Sequence, residues 1–151
     1  MSADPSTWTL PRLRIDRDGA WYHDDAEVTH AGILANLRSS LQVDEQGHHL
    51  RIGSVRVPVE VEDAPFVVER VELEGEQLAV TLNDESREVL ALDTLRVDER
   101  AVPRCRVKHG RFEARLSRAA AYQLLQHVEP GEAGGRAALV LRGRRHPVPG
   151  L

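Results

Sequence analysis

Apolar and polar residues alternate along most of the chain, a pattern that predicts mainly short β-strands. The first such run, Leu13 to Ile15, precedes Asp18-Gly19, so the sequence predicts a hairpin whose return strand begins at Trp21. A later run, Val55 to Val61, contains Pro58. Because proline cannot donate to a β-ladder, this strand is expected at a sheet edge or at a bulge.

Two segments instead carry apolar residues at helical spacing. Thr29 is the predicted N-cap of the first helix. Its apolar face is formed by Ile33, Leu34, Leu37 and Leu41. Ser117 is the predicted N-cap of the second helix, and Pro130 is expected to end it, because the residue before a proline avoids helical angles. The face of this second helix is formed by Ala121, Leu124, Leu125 and Val128.

The middle of the chain consists of three β-rich runs separated by turn residues, which predicts an antiparallel meander. These runs are Phe66 to Leu73, Leu78 to Leu82 and Glu88 to Leu92. A further hairpin is predicted from Arg104 to Leu116 around His109-Gly110. The last predicted strand runs from Ala137 to Leu141 and is followed by a tail with Arg144, Arg145, His146 and Pro147.

Residues 13–59 and 105–148 follow the same order: a hairpin with a turn glycine, a capped helix, a strand, a glycine and a Pro-Val pair. This order predicts an internal duplication. The predicted fold class is therefore α+β, with two related hairpin/helix/strand subdomains joined by an antiparallel β meander. The predicted organisation is a flexible N-terminus (1–9), a first subdomain (10–62), central strands (63–99) and a second subdomain (100–151).

The composition of the 151 residues, with 41% hydrophobic and 29% charged residues, is typical of a globular protein. The longest apolar run, Ala137 to Leu141, is far too short to span a membrane, and Met1 to Pro5 does not resemble a secretory signal, so we expect a cytoplasmic protein. Cys105 is the only cysteine, which excludes an internal disulfide. It alternates with Arg104 and Arg106, a pattern that favours a core thiol over a nucleophile.

Charge divides the chain into an acidic part and a basic part. Residues 1–99 hold 9 Arg and 21 Asp or Glu, whereas residues 100–151 hold 11 Lys or Arg and 3 Glu. One interpretation is that the two parts pack against each other and so reduce their self-repulsion. The other is that the basic part binds an anion such as a phosphate or a nucleotide. The two interpretations are compatible.

Three carboxylate residues lie close together in the sequence at the end of a predicted strand. They are Glu60, Glu62 and Asp63. Alternation places the two glutamates on one face, so these residues could form a divalent metal site or an acid/base pair. In the plainer interpretation Asp63 caps a turn, while Pro65 and Phe66 direct the chain and anchor the core. A second cluster contains His23, Asp24, Asp25 and His30, but its spacing matches no metal motif.

The densest basic stretch lies around the second predicted hairpin. It contains Arg104, Arg106, Lys108, Arg111, Arg115 and Arg118. These side chains could pair with phosphate or with the acidic part of the chain. The sequence argues against nucleic acid as a partner, because the chain has six aromatic residues in total and a pI near 6.0.

Several segments are similar to a family of uncharacterised bacterial proteins found mainly in proteobacteria. The resemblance rests on Ile15 to His23, on Val59 to Val68 with its Glu-Asp-Ala-Pro-Phe segment, and on Pro103 to Leu116 with Tyr122. It covers roughly residues 10 to 148. The resemblance implies an α+β fold with two similar subdomains, the second loosely like a pleckstrin-homology barrel, and it implies no established activity.

The sequence therefore favours a non-catalytic binding or signalling module without a cofactor, whose ligand is small and anionic, for example a nucleotide. The ligand is expected between the two subdomains. The predicted contact residues are Trp21, His23, Glu62, Asp63, Pro65, Phe66, Arg104 and Arg115. Two alternatives remain open at this point: a metal-dependent enzyme that uses Glu60, Glu62 and Asp63, and a protein–protein interaction module.

Overall fold

The computed structural model describes residues 10–132 and 135–151. The predicted flexible N-terminus, residues 1–9, lies outside the described residues. The chain divides into two compact units, of which the first ends at Asp63 and the second begins at Ala64. Among the described residues, neither helix has the length and apolar character needed to cross a membrane.

The first unit is built on one six-stranded sheet with the order β3-β2-β1-β6-β5-β4. Its elements are β1 (Leu13–Ile15), β2 (Trp21–His23), β3 (Ala26–Glu27), helix α1 (Ala31–Ser40), β4 (Gln42–Asp44), β5 (Gly47–Ile52) and β6 (Val55–Val61). Strands β1 and β2 form the predicted hairpin, whereas β1 and β6 are parallel. The turn of this hairpin needs Gly19, whose φ is +83°. Asp16 fixes the same turn by accepting the N–H groups of Asp18 and Ala20.

Two local predictions in the first unit are wrong. The N-cap of α1 is His30 instead of Thr29, because the His30 Nδ1 atom accepts the Ile33 N–H at 3.3 Å. Pro58 lies in an interior strand instead of an edge strand, and the register of β5 and β6 is regular around it. The strand tolerates this proline because the pairing of β6 with β1 begins only at Val59, one residue later.

The second unit contains a six-stranded sheet with the order β10-β11-β12-β7-β8-β9. Its strands are β7 (Phe66–Glu74), β8 (Gln77–Leu82), β9 (Arg87–Val89), β10 (Arg96–Val97), β11 (Pro103–Val107) and β12 (Phe112–Leu116), with a 3₁₀ turn at Leu92–Thr94. The predicted meander is confirmed as β7-β8-β9, and the predicted hairpin as β11-β12. Because β12 is parallel to β7, the meander and the hairpin belong to one sheet.

Helix α2 (Arg118–Leu125) packs against this sheet, where Gln123 Oε1 accepts the Val71 N–H at 2.7 Å. Ser117 caps the helix as predicted. The helix ends five residues before Pro130, so that expected terminus is wrong. Val128 belongs to a strand instead of the helical face, because it pairs with Leu139 in a small three-stranded sheet.

This small sheet consists of β13 (Val128–Glu129), β14 (Ala138–Leu141) and β15 (Arg144–Pro147). Strand β15 replaces the predicted tail. The Val97 N–H of β10 donates to the Pro149 carbonyl at 2.8 Å and so joins the chain end to the large sheet. Gly150 is required there, because a Cβ atom would clash with the Val97 carbonyl oxygen.

The two units repeat an arrangement of elements, which agrees with the predicted two-subdomain α+β fold. Each unit contains a six-stranded sheet and a hairpin that is followed by a short helix. In each unit one strand of the hairpin has a parallel neighbour. In the first unit β1 pairs with β6, which follows the hairpin in the sequence, and in the second unit β12 pairs with β7, which precedes it. The order of elements is therefore repeated more faithfully than the strand pairing.

Candidate functional site

The predicted contact residues of the first unit lie in two environments. Trp21 is 1% exposed and forms part of the core, opposite Ile15 in the β1–β2 hairpin. His23, Glu62 and Asp63 are exposed. His23 lies on the rim of an apolar groove of about 400 Å³ next to α1, where its Nδ1 atom is 3.5 Å from an Asp24 carboxylate oxygen.

The carboxylates of Glu60, in β6, and of Glu62, just after β6, lie close to arginines of the segment around β1. Glu60 accepts a hydrogen bond from Arg12 at 3.2 Å, and Glu62 lies 3.9 Å from Arg14 and 3.7 Å from Arg17. These surface ion pairs contribute little to stability. Among the described residues, no three His, Cys, Asp or Glu side chains are grouped so that they could hold a metal ion. The metal-dependent alternative therefore finds no geometric support at Glu60, Glu62 and Asp63.

Three predicted contact residues of the second unit are packed or ion-paired. Pro65 and Phe66 are buried, and the Phe66 ring contacts Phe112 edge-on with centroids 5.4 Å apart. Arg104 is 13% exposed, and its guanidinium donates to Asp98 at 2.8 Å and to Glu113 at 3.1 Å. The positive charge of Arg104 is thus engaged by two carboxylates inside the fold.

Arg115, by contrast, lines an open cavity of about 360 Å³ within the second unit. The walls are the loop before β11, the end of β12 and the first two turns of α2. Two cationic side chains, Arg115 and Arg118, line it together with the exposed ring of Tyr122. The remaining lining is mainly apolar and comes from Ala101, Val102, Pro103, Leu116, Ala121 and Leu125, together with the N-cap residue Ser117. We call this cavity the α2 cavity.

The loop before β11, which forms the wall opposite α2, is fixed by hydrogen bonds to the Asp98 carboxylate. One oxygen of this carboxylate accepts the N–H groups of Arg100 at 2.8 Å and Val102 at 3.0 Å, while the other accepts from Arg104. Ala101, at the tip of this loop, has a φ of +64°, a left-handed backbone conformation that residues other than glycine rarely adopt. The hydrogen bond from Arg104, followed by that from Val102, lowers the pKa of Asp98 to about 2.

This pKa shift predicts a loss of stability in acid. Because the pKa of folded Asp98 lies below the value near 3.8 of an unperturbed aspartate, its contribution is present above pH ~4 and is lost as the pH falls towards 2. We expect about 1 kcal/mol after allowing for solvent screening. Urea unfolding at pH 7 and pH ~2.5 should show a smaller acid loss for Asp98→Asn than for the exposed control Asp93→Asn. Equal losses in the two variants would contradict the role of Asp98.

Arg118 and Tyr122 were not among the predicted contact residues. A signal for them exists, because residues four apart lie on the same face of a helix. Arg115 is the last but one residue of β12, close to the start of the helix, so the three side chains reach one surface through the β12–α2 junction. The four-residue spacing on the helix, together with the charge of Arg118, is the sequence signal that identifies Arg118 and Tyr122.

The only cysteine lies in the core of the second unit. Cys105 is buried on β11, opposite Ala114. Burial raises the pKa of its thiol to about 12, with smaller contributions from Glu88 and Glu113. A thiol with this pKa is almost entirely protonated near neutral pH and is a poor nucleophile, as its place in the strand pattern predicts.

The division of charge found in the sequence does not follow the boundary between the units. The first unit holds 6 basic and 11 acidic residues, and the second holds 14 basic and 13 acidic residues. Ion pairs inside the second unit join the two parts, since Lys108 binds Asp84 at 2.6 Å and Arg104 binds Asp98. Most of the apparent asymmetry is thus balanced within the second unit.

Comparison with known proteins identifies this architecture in two solved structures. One is a DUF1285 family protein from Silicibacter pomeroyi DSS-3, with a TM-score of 0.75 and 24% identity over 99% of this chain and 88% of that chain. The other is a DUF1285 family protein from Shewanella baltica OS155, with a TM-score of 0.64 and 21% identity over 78% of this chain and 92% of that chain. This chain shares their fold.

Both neighbours are proteobacterial proteins of an uncharacterised family, as the resemblance in the sequence implies. No protein-family model matches the chain, and no curated protein matches it either. The comparisons therefore support the fold of this chain and assign no activity to it.

Proposed function

We propose that this protein is a non-catalytic binding module that holds a small anionic ligand, such as a nucleotide, in the α2 cavity. The observation that carries the proposal is the convergence of Arg115 and Arg118 on one concave surface. Guanidinium groups form charge-assisted and often bidentate hydrogen bonds with phosphate and carboxylate oxygens. Two of them at one cavity suit a ligand with an anionic group.

The size and lining of the cavity support an organic anion over a simple ion. About 360 Å³ falls within the range of small-molecule sites, which are mostly apolar with a few polar groups. Tyr122 is 65% exposed, so its ring can stack against a planar base or an aromatic group. Val102 and Pro103 supply apolar contacts on the other side.

A binding role without catalysis agrees with the state of the reactive side chains. The Cys105 thiol is buried and protonated near neutral pH. Of the carboxylates proposed for catalysis, Glu60 and Glu62 face arginines on the surface of the other unit. The residues lining the α2 cavity include no carboxylate, histidine or cysteine that could act as a general base or a thiol nucleophile.

A thermal-shift and calorimetric panel tests the proposal. The probes are inorganic phosphate, pyrophosphate, AMP and ATP, titrated into the full chain. We expect at least one organic phosphate to bind, and Arg118→Glu to weaken it by about tenfold or more, since the variant replaces an attractive charge by a repulsive one. Arg145→Glu is the matched control, because Arg145 is exposed on β15 and does not line the cavity.

Three outcomes would overturn the proposal. They are a flat response to the whole panel, equal weakening by Arg118→Glu and Arg145→Glu, and binding that Tyr122→Ala leaves unchanged when the ligand carries a base. The first would exclude an anion of these classes. The second would indicate general charge attraction, and the third would place the ligand elsewhere.

A further inference from the structure

A second concave surface lies at the other end of the second unit, between the two edges of its large sheet. It is lined by residues 86–89, by Ala91 and part of the 3₁₀ turn, and by residues 106 and 108–111. Its volume is about 760 Å³, roughly twice that of the α2 cavity. We call it the β9–β11 groove.

One wall of the groove is an open strand edge. Among the described strands, β9 is the last of its sheet, and its partner is β8. On either side of β9, the Leu90 N–H donates to the Leu78 carbonyl, and the Ser86 carbonyl accepts the Leu82 N–H. Every second residue of the segment 86–90 therefore bonds towards β8. By the alternation of an antiparallel ladder, the backbone groups of Arg87 and Val89 point outward, away from β8. Val89 also exposes 52% of its surface.

The other wall is β11, whose edge is covered by side chains. Strand β10 pairs with β11 only as far as Arg104. Beyond that point the Arg106 N–H donates to the Thr94 hydroxyl at 3.0 Å, and the Lys108 N–H donates to both Glu88 carboxylate oxygens at 3.2 Å. Glu88 thus bridges β9 and β11 directly.

The lining of the groove carries more positive than negative charge. Four lining side chains are cationic, and two, Glu88 and Asp93, are acidic. Arg87 and Lys108 have carboxylate partners within the unit. In the described part of the chain Arg106 bonds instead to the carbonyls of the 108–111 turn, and Arg111 stacks on the Phe112 ring at 5.3 Å. These two guanidinium groups keep their charge available to a partner.

The turn that holds the two arginines is strained. Lys108, His109 and Gly110 are consecutive residues with φ of +57°, +61° and +76°. The first two have side chains, and each costs on the order of 1 kcal/mol in this region. Arg106 fastens the turn through its 2.8 Å hydrogen bond to the Gly110 carbonyl. Strain of this kind is concentrated at sites that bind ligands.

We propose that the β9–β11 groove binds an extended acidic segment of a partner protein, which adds to the edge of β9. The outward groups of Arg87 and Val89 would form the main-chain hydrogen bonds of the added strand. Arg106 and Arg111 would pair with its carboxylates, and Val89 would contact its apolar side chains. This inference is independent of the anion proposed for the α2 cavity.

Fluorescence anisotropy with a labelled peptide of alternating glutamate and valine tests the proposal on the full chain. We expect saturable binding, weakened about tenfold or more by Arg111→Glu and by Arg106→Gln separately. A peptide N-methylated at alternate residues cannot form the ladder and should bind about tenfold more weakly. Hydrogen exchange at the Arg87 and Val89 amides should slow when the unmodified peptide is bound.

The controls separate this groove from general charge attraction and from the α2 cavity. Arg145→Glu and Arg118→Glu should change the peptide affinity by less than about threefold. The proposal is overturned if Arg145→Glu weakens binding as much as Arg111→Glu does, if N-methylation has no effect, or if the peptide fails to bind at about 1 mM. Because Arg118→Glu disables only the α2 cavity, a failure of the small-anion proposal would leave the peptide result intact.

Discussion

Replacing Phe66 with alanine is expected to lower the free energy of unfolding by about 3–5 kcal/mol, the usual cost of deleting a buried aromatic ring. Phe66 is 1% exposed and lies at the start of β7, opposite Ala114 of the parallel strand β12. Its ring meets Phe112 at an angle of 63°, and the Lys108 ammonium lies 5.4 Å from its centroid. The substitution removes all these contacts at once. Urea unfolding followed by far-UV circular dichroism at pH 7 measures the loss.

Phe66→Leu separates packing from recognition at this position. It keeps most of the buried volume, so its cost should stay below about 1.5 kcal/mol. If Phe66 acted as a ligand contact, as the sequence also allowed, Phe66→Leu would weaken ligand binding more than it weakens folding. A loss of less than about 1 kcal/mol for Phe66→Ala would show that the ring does not anchor the core.

Strand positions could be predicted because they depend on local chemistry that the sequence displays. Asp18-Gly19 and His109-Gly110 supply residues that tolerate left-handed angles, and alternating apolar residues on either side fix the strands of both hairpins. Ser117 has a hydroxyl that suits an N-cap, and it caps α2. In each case one residue type meets one local geometric requirement.

Predictions failed where a neighbouring strand or an unusual residue decided the outcome. Val128 has helical spacing, but pairing with Leu139 makes it a strand residue. Pro58 is typical of an edge, but the short β1 leaves the adjacent position without a partner. Strand β15 was missed because its turn begins with Arg142, whose φ of +50° is uncommon for arginine. The first two outcomes depend on strand partners elsewhere in the chain, and the third depends on a local conformation that the residue type does not indicate.

The candidate site could be predicted only in part, for a similar reason. Basic residues cluster in the sequence, but charge alone does not show which of them the fold neutralises. Arg104 is held between Asp98 and Glu113, whereas Arg115, eleven residues later, reaches the α2 cavity. The two residues are direct partners across β11 and β12. Two arginines of equal charge at paired positions thus lie in different surroundings, which the sequence alone does not distinguish.

Replacing Trp21 with alanine should cost about as much as Phe66→Ala, roughly 3–5 kcal/mol, because a larger ring is removed from an equally buried position. Trp21 is 1% exposed and belongs to the first unit, next to the β1–β6 pair. Its indole Nε1–H makes no hydrogen bond to any other described residue, although it is buried. A tryptophan in this position stabilises the unit through apolar area and not through its polar group.

Trp21→Phe tests that distinction directly. It removes the indole N–H but keeps an aromatic ring, so the expected cost is about 1–2 kcal/mol, the range for a moderate loss of buried volume. Urea unfolding followed by circular dichroism compares the two variants under the same conditions. If Trp21→Phe cost as much as Trp21→Ala, the smaller ring would not preserve the packing, and stabilisation by apolar area in general would be contradicted. A small cost would instead show that the N–H is tolerated because the surrounding apolar contacts outweigh its desolvation.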